Sequence, residues 1–157
     1  MAIKRSQLVW YKVGNDRKLG IPAKSNILND LVPDMSGAQN RDGDVRYRSL
    51  VVLNNHPTQS LTAAKFYFRI LDTGGAIYRL ALDQLGPVAS TAVIVSDVSD
   101  RPTSYSSAYT SFATGLALPA ALGPMQAVGL WVQRSGASGA ARYPERNIIV
   151  LSGTTPA

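Results

Sequence analysis

The chain has 157 residues, 45% of them hydrophobic and 17% charged, and its 16 Lys and Arg against 10 Asp and Glu leave a net charge of +6. That length suits one domain with a sizeable core, and that balance excludes a chain disordered throughout. With no cysteine, one histidine (His56) and one glutamate (Glu145), disulfides and thiol chemistry are excluded and acid–base catalysis has few groups to draw on.

Taken in chain order, the apolar residues arrive in short runs rich in Val, Ile, Tyr, Phe and Trp, the residues that fit a pleated, half-buried surface. A first strand is predicted over 7–13. Its apolar stretch stops at Lys12, too short for a signal-peptide core. Residues 14–44 then form a long, basic, irregular arm. Its best helical candidate is 25–31, where Ile27, Leu28 and Leu31 make a turn or two before Pro33 ends it. The turn Asn40-Arg41-Asp42-Gly43-Asp44 leads into a strand over 45–54, and Asn54-Asn55-His56-Pro57 is the turn after it.

The next strand, 61–71, alternates most clearly: Phe66, Phe68 and Ile70 are expected to face inward, with Lys65, Tyr67 and Arg69 on the other face. Asp72-Thr73-Gly74-Gly75 is a hairpin connection to a strand over 76–83, its glycines supplying the positive φ such loops need. Further strands are predicted over 91–96, 126–134 and 146–151, with a long loop at 97–124. The most apolar window, 116–132, is broken by Pro119, Gly123, Pro124 and Gly129, whereas a bilayer-spanning helix needs about 20 mostly apolar residues. No membrane partner is expected. Seven alternating runs separated by turns predict an all-β, antiparallel β-sandwich. The single domain spans 1–157, with a first strand and arm in 1–44 and the main sandwich in 45–153.

Several of these elements together resemble a known family. Gly43-Asp44 is followed by Val45-Arg46-Tyr47-Arg48 and a strand ending in Leu53-Asn54-Asn55, and then by Leu61-Thr62-Ala63-Ala64-Lys65-Phe66. Leu122-Gly123-Pro124-Met125-Gln126 precedes Val128-Gly129-Leu130-Trp131-Val132-Gln133-Arg134, and a final strand runs Asn147 to Gly153. In this order they resemble small, cysteine-poor virion structural proteins of tailed bacteriophages, over residues 43–70 and 122–153. The chain departs from that pattern at Ser49, often Cys there, and at the turn, which reads Gly123-Pro124. The resemblance implies an immunoglobulin-like sandwich and a place in the virion, on the capsid surface or at the neck or tail.

Candidate chemical sites are sparse. His56 has no carboxylate beside it, and its Asn and Pro neighbours predict a surface turn residue. Asn40, Asp42 and Asp44 alternate as Ca²⁺ ligands do, yet no bidentate Glu follows at the required distance, so turn chemistry accounts for them. The loop Gly136-Ala137-Ser138-Gly139-Ala140-Ala141 lacks the G-K-[ST] of a phosphate-binding loop. Serine catalysis would have only His56 to serve it. No catalytic residue, metal or cofactor is expected.

The basic charge is uneven. Residues 1–48 carry nine Lys and Arg against five Asp, and the rest carry seven against five. Arg17, Lys18 and Lys24 in the arm are expected to face acidic partner groups, and Arg46, Arg48, Lys65, Arg69 and Arg79 form basic strand faces suited to the same use. Tyr105, Tyr109 and Phe112, set among Ser and Thr, have the composition of a binding loop, and an apolar run from Leu116 follows. Tyr105, Tyr109 and Leu116 are expected in protein contacts. Both long irregular segments are expected to order against neighbouring proteins. The functional expectation is a non-enzymatic virion structural protein, assembled in the host cytoplasm and decorating or cementing the capsid. Its partners would be major capsid or tail proteins and further copies of itself. The alternatives are a neck, tail or baseplate accessory protein and, more distantly, a carbohydrate-binding module or a single-strand nucleic-acid binder; nucleic acid is disfavoured as a partner.

Overall fold

The structure, a computed structural model, describes residues 3–12, 43–72, 75–83, 86–89, 101–107, 109–136 and 146–156. The helix expected over 25–31 and the strand expected over 91–96 lie outside these residues. A 3-10 turn at Arg5–Gln7 leads into β1 (Leu8–Lys12), followed by β2 (Val45–Asn54), β3 (Thr62–Asp72), β4 (Ile77–Leu82) and β5 (Val88–Ala89). Then come β6 (Ser106–Ser107), β7 (Leu116–Ala117), β8 (Gln126–Ser135) and β9 (Arg146–Thr154). The protein is an antiparallel β-sandwich. The larger sheet has the order β1-β2-β8-β4-β6, with β5 continuing the line of β4 along β8, and the smaller has the order β7-β3-β9. Among the described residues no helix is long and apolar enough to cross a membrane.

The core lies between the sheets. Leu50 and Val52 of β2, Tyr78 and Leu80 of β4, and Val128, Leu130 and Val132 of β8 meet Ala64, Phe66 and Phe68 of β3 and Leu151 of β9. Each fully buried side chain of this kind stabilises by about 1.5–3 kcal/mol. The rings pack edge to face: Trp10 against Phe66 at 5.9 Å and Phe68 against Tyr78 at 5.9 Å. Alternation is not the rule everywhere. From Ser49 to Asn54 every residue of β2 is buried, because Val51 and Leu53 form a second cluster with Ala127 on the opposite face of the larger sheet. An unbroken apolar run of this kind is the mark of a strand covered on both faces.

Two bulges in β3 correct the expected facing. Between Phe68 and Ile70 the pairing slips, Phe68 facing Ile149 and Ile70 facing Ile148, so Arg69 is the extra residue. Beyond the slip it is Leu71 that packs on the core, whereas Ile70, expected to point inward, is absent from it. The inward expectation holds for Phe66 and Phe68, both at most 1% exposed, and fails for Ile70 because a bulge reverses the phase. The second slip lies between Thr62 and Lys65. Ala63 there has φ 49°, a left-handed conformation costly for an L-residue with a Cβ. Gly153 lies opposite, where a Cβ would stand 2.7 Å from the Thr62 carbonyl oxygen, so only glycine lets the strands close.

The turns at one end of the sandwich are knitted by Asn54, which is fully buried. Its side-chain amide donates to the carbonyls of Gln59, Leu122 and Gly123, and its Oδ1 accepts from the His56 N–H. His56, expected at the surface, is buried here. Its Nδ1 accepts from the Thr58 and Gln59 N–H groups at 3.2 and 3.0 Å, so the ring is a turn-former drawn inward by backbone donors that need a partner.

Candidate docking surface

The stretch 97–124, expected as a long loop that orders against partners, is part of the sandwich over its described residues. Ser106 and Ser107 pair with Leu80 and Arg79 at the edge of the larger sheet. The chain then crosses to the smaller sheet, where the Tyr109 carbonyl accepts the Phe68 N–H at 2.6 Å and Leu116 and Ala117 pair with Phe66 and Lys65. The Leu118 N–H reaches the Ala64 carbonyl, and Leu61 and Leu122 exchange both backbone hydrogen bonds. This strap therefore closes one side of the sandwich, tying the two sheets together.

That route decides where the expected contact residues point. Tyr109 and Leu116 are half-buried and packed against the core, not turned outward. Tyr105 is half-buried, its ring 5.7 Å from that of Tyr47, and the Arg101 guanidinium lies 4.6 Å from the Tyr47 ring centre. Tyr47 accepts from Gln133 Nε2, and Gln133 Oε1 accepts from Arg79. The Tyr105 hydroxyl is buried without a hydrogen-bond partner. Burial, with the neighbouring Tyr47 phenol adding and Arg101 opposing, pushes it from 10 up to about 12. Arg17, Lys18 and Lys24 lie outside the described residues.

The basic strand residues do not form one face. Arg46 and Arg48 occupy the positions of β2 that alternate with Tyr47 and Ser49, in phase with the core residues Leu50 and Val52; Arg46 also pairs with Asp44 at 2.9 Å. Arg79 is held in the Tyr47–Gln133 group on the opposite face of the same sheet. Lys65 and Arg69 are on β3 of the smaller sheet, and Arg69 is exposed.

What the sequence did not single out is the geometry around Phe112. With Phe66, Phe68, Ile149 and Leu151 turned to the core, the outward face of the smaller sheet carries Lys65 and Tyr67 on β3, opposite Ser152 and Val150 on β9. Phe112 is 41% exposed above this face, edge-on to Tyr67 at 6.3 Å. Lys65 Nζ lies 5.3 Å from the Phe112 ring centre and donates to the Ala113 carbonyl at 3.1 Å. The loop that presents the ring is itself built: Ser111 Oγ and Thr114 Oγ1 are 2.9 Å apart, and the Gly115 N–H donates to the Phe112 carbonyl. A Cβ at Gly115 would come within 3.0 Å of Lys65 Cβ and the Phe66 carbonyl, so the loop sits on β3 as closely as a glycine permits. The result is a preformed aromatic knob on a half-exposed face, with Lys65 beside it.

No group of three or more His, Cys, Asp or Glu among the described residues could hold a metal ion. The buried Asp83 accepts from the Trp131 indole N–H at 3.3 Å, an ordinary structural use of a carboxylate. Comparison of the chain with protein-family models, curated proteins and solved structures gives no match to any of them.

Proposed function

We propose that this chain is a non-enzymatic structural protein of a tailed-phage virion, docking on capsid proteins through the outward face of its smaller sheet. The observation that carries the docking part is the Phe112 knob. A bulky ring 41% exposed and braced by Lys65, Tyr67 and a hydrogen-bonded loop spends little conformational entropy on binding. Lys65 against the ring, and the exposed Arg69 further along β3, suit a partner with an acidic rim. The virion assignment, like the immunoglobulin-like variety of sandwich, rests on the resemblance of residues 43–70 and 122–153 to such proteins. A neck, tail or baseplate position is the alternative within that reading.

The test is direct. Mass spectrometry of purified particles should find the chain as a stoichiometric component, and its absence would end the virion reading. Purified protein should rebind particles lacking it, and Phe112→Ser should weaken that binding at least tenfold with an unchanged melting temperature, because hot-spot aromatics carry about 2 kcal/mol or more. Arg69→Glu should mainly slow association, in a salt-dependent way. Binding to single-stranded oligonucleotides or to sugars, lost with the same Phe112→Ser variant, would favour the other two classes instead.

A further inference from the structure

The sandwich has a second feature that the docking face does not absorb. Among the described residues nothing pairs with the far side of β9. This edge is nine residues long, Arg-Asn-Ile-Ile-Val-Leu-Ser-Gly-Thr, with no proline and a single charge at its start. Natural sheet edges are blunted by shortness, lysine, proline or an outward bulge. The other edges are blunted in this way: β6 and β7 have two residues each, and β1 has five and ends in Lys12. The bulges of the smaller sheet leave β9 itself regular, since the extra residues are on β3.

The register fixes which backbone groups are open. Phe68 N–H and the Ala64 carbonyl point to the strap, so the even positions of β3 face away from β9 and the odd positions, Lys65 and Tyr67, face towards it. Their partners Ser152 and Val150 therefore turn their N–H and C=O groups inward to β3, and Ile149 and Leu151 turn theirs to the open edge.

We infer that β9 pairs antiparallel with β9 of a second copy of this chain, about a two-fold axis at Val150. In that register Ile149 exchanges hydrogen bonds with Leu151 of the second copy, and Val150 meets its counterpart at a non-hydrogen-bonded position with Cα atoms about 4.5 Å apart. The strand is compatible with its own copy in this register. The one charged residue of the strand, Arg146, falls opposite Thr154 rather than opposite its own counterpart, and the middle of the seam is uncharged. A self-complementary strand closes as an isologous pair, leaving no further open edge on β9. The two smaller sheets become one continuous six-stranded sheet. A single strand seam buries less than a standard interface, so the dimer is weak in dilute solution and strengthened wherever many copies are held close together. The inference stands without the virion reading.

Because the chain has no cysteine, Val150→Cys places one thiol per copy at the axis. Oxidised with copper phenanthroline, this variant should give a covalent dimer, since the expected Cα separation lies within disulfide range. Thr110→Cys, on the strap side, should not. Sedimentation should show the wild type passing from 16.8 kDa towards twice that mass as concentration rises. Val150→Lys, which sets two ammonium groups face to face on a half-exposed position, should raise the dissociation constant about tenfold or more. A wild type that stays monomeric to millimolar concentration overturns the inference. So does a dimer that survives Val150→Lys with Val150→Cys uncrosslinked, which would place the contact elsewhere. If Val150→Lys fails to fold, the cysteine readout decides alone. Phe112→Ser should leave the dimer intact, so failure of particle binding and failure of strand pairing are told apart.

Discussion

The strap side and the open side of the sandwich expose strand edges of very different kinds. On the strap side the outer strands, β6 and β7, are two residues long and belong to one continuous segment that wraps from the larger sheet to the smaller. On the open side β1 and β9 run for five and nine residues, and a hydrogen bond from the Ile3 N–H to Thr155 Oγ1 links the chain segments just outside them. The strap side has no regular pattern in the sequence, yet it makes that flank self-contained. The open side reads in sequence as ordinary strands, and among the described residues nothing pairs with its outer edges. Regularity of pattern and completeness of pairing are thus different properties.

The largest expected effect separates the two sides by stability. Leu122, fully buried at the foot of the strap, exchanges two backbone hydrogen bonds with Leu61. Leu122→Ala should cost about 2–5 kcal/mol in urea unfolding, the range for deleting a buried leucine. Val150→Ala on the open side should cost under about 1 kcal/mol, since the side chain is half-exposed. Equal costs would break the comparison.

A smaller effect sharpens it through pH. The Tyr105 hydroxyl is held at about 12 in the fold against 10 for a free tyrosine, so folded and unfolded chains are both protonated below pH 10. Between pH 10 and 12 the unfolded chain releases that proton first, and stability falls as pH rises through this window. Tyr105→Phe should flatten the decline in melting temperature above pH 10. At pH 7 it should be at least as stable as the wild type, because the hydroxyl it removes is buried and unbonded. An unchanged decline would mean that burial does not hold the proton on this hydroxyl.

The smallest effect belongs to the Ala63 bulge beside Gly153. Ala63→Gly relieves the positive φ at some entropic cost in the unfolded chain, so a gain of about 0.5–1 kcal/mol is expected by chemical denaturation. A loss would mean that the methyl group makes contacts worth more than the strain.

The long strands were legible because their apolar residues set both their limits and their phase. The expectation for 45–54 coincides with β2, and those for 61–71 and 126–134 fall within one residue of β3 and β8 at each end. β9 runs on to Thr154, three residues past the expected end, because pairing with Thr62 continues across Gly153, a stretch with no apolar signal. The phase reversal at Arg69 was hidden for a related reason: a bulge is a fact of pairing and leaves no mark on composition. His56 was misplaced because a turn residue can be pulled inward by the N–H groups it caps. Of the expected contact residues, Tyr109 and Leu116 went to the core, since a strap crossing between sheets must bury what it passes over. Phe112 was visible as an aromatic among serines, but its exposure depends on Lys65 and Gly115, close to it only in the folded chain.

The β2–β8 ladder has a consequence for the order of events in folding. Val52 pairs with Val128, so the central pair of the larger sheet joins segments far apart along the chain, and Asn54 adds its bonds to Leu122 and Gly123 across a similar span. Closing such loops exacts its entropy before any contact repays it, which places folding in the slow, millisecond-to-second range of all-β topologies. On a ribosome the ladder cannot zip until β8 has left the exit tunnel. Until β8 emerges, Leu50 to Leu53 is therefore an apolar strand waiting for its partner, and the crowding of nascent chains sets how safely it waits.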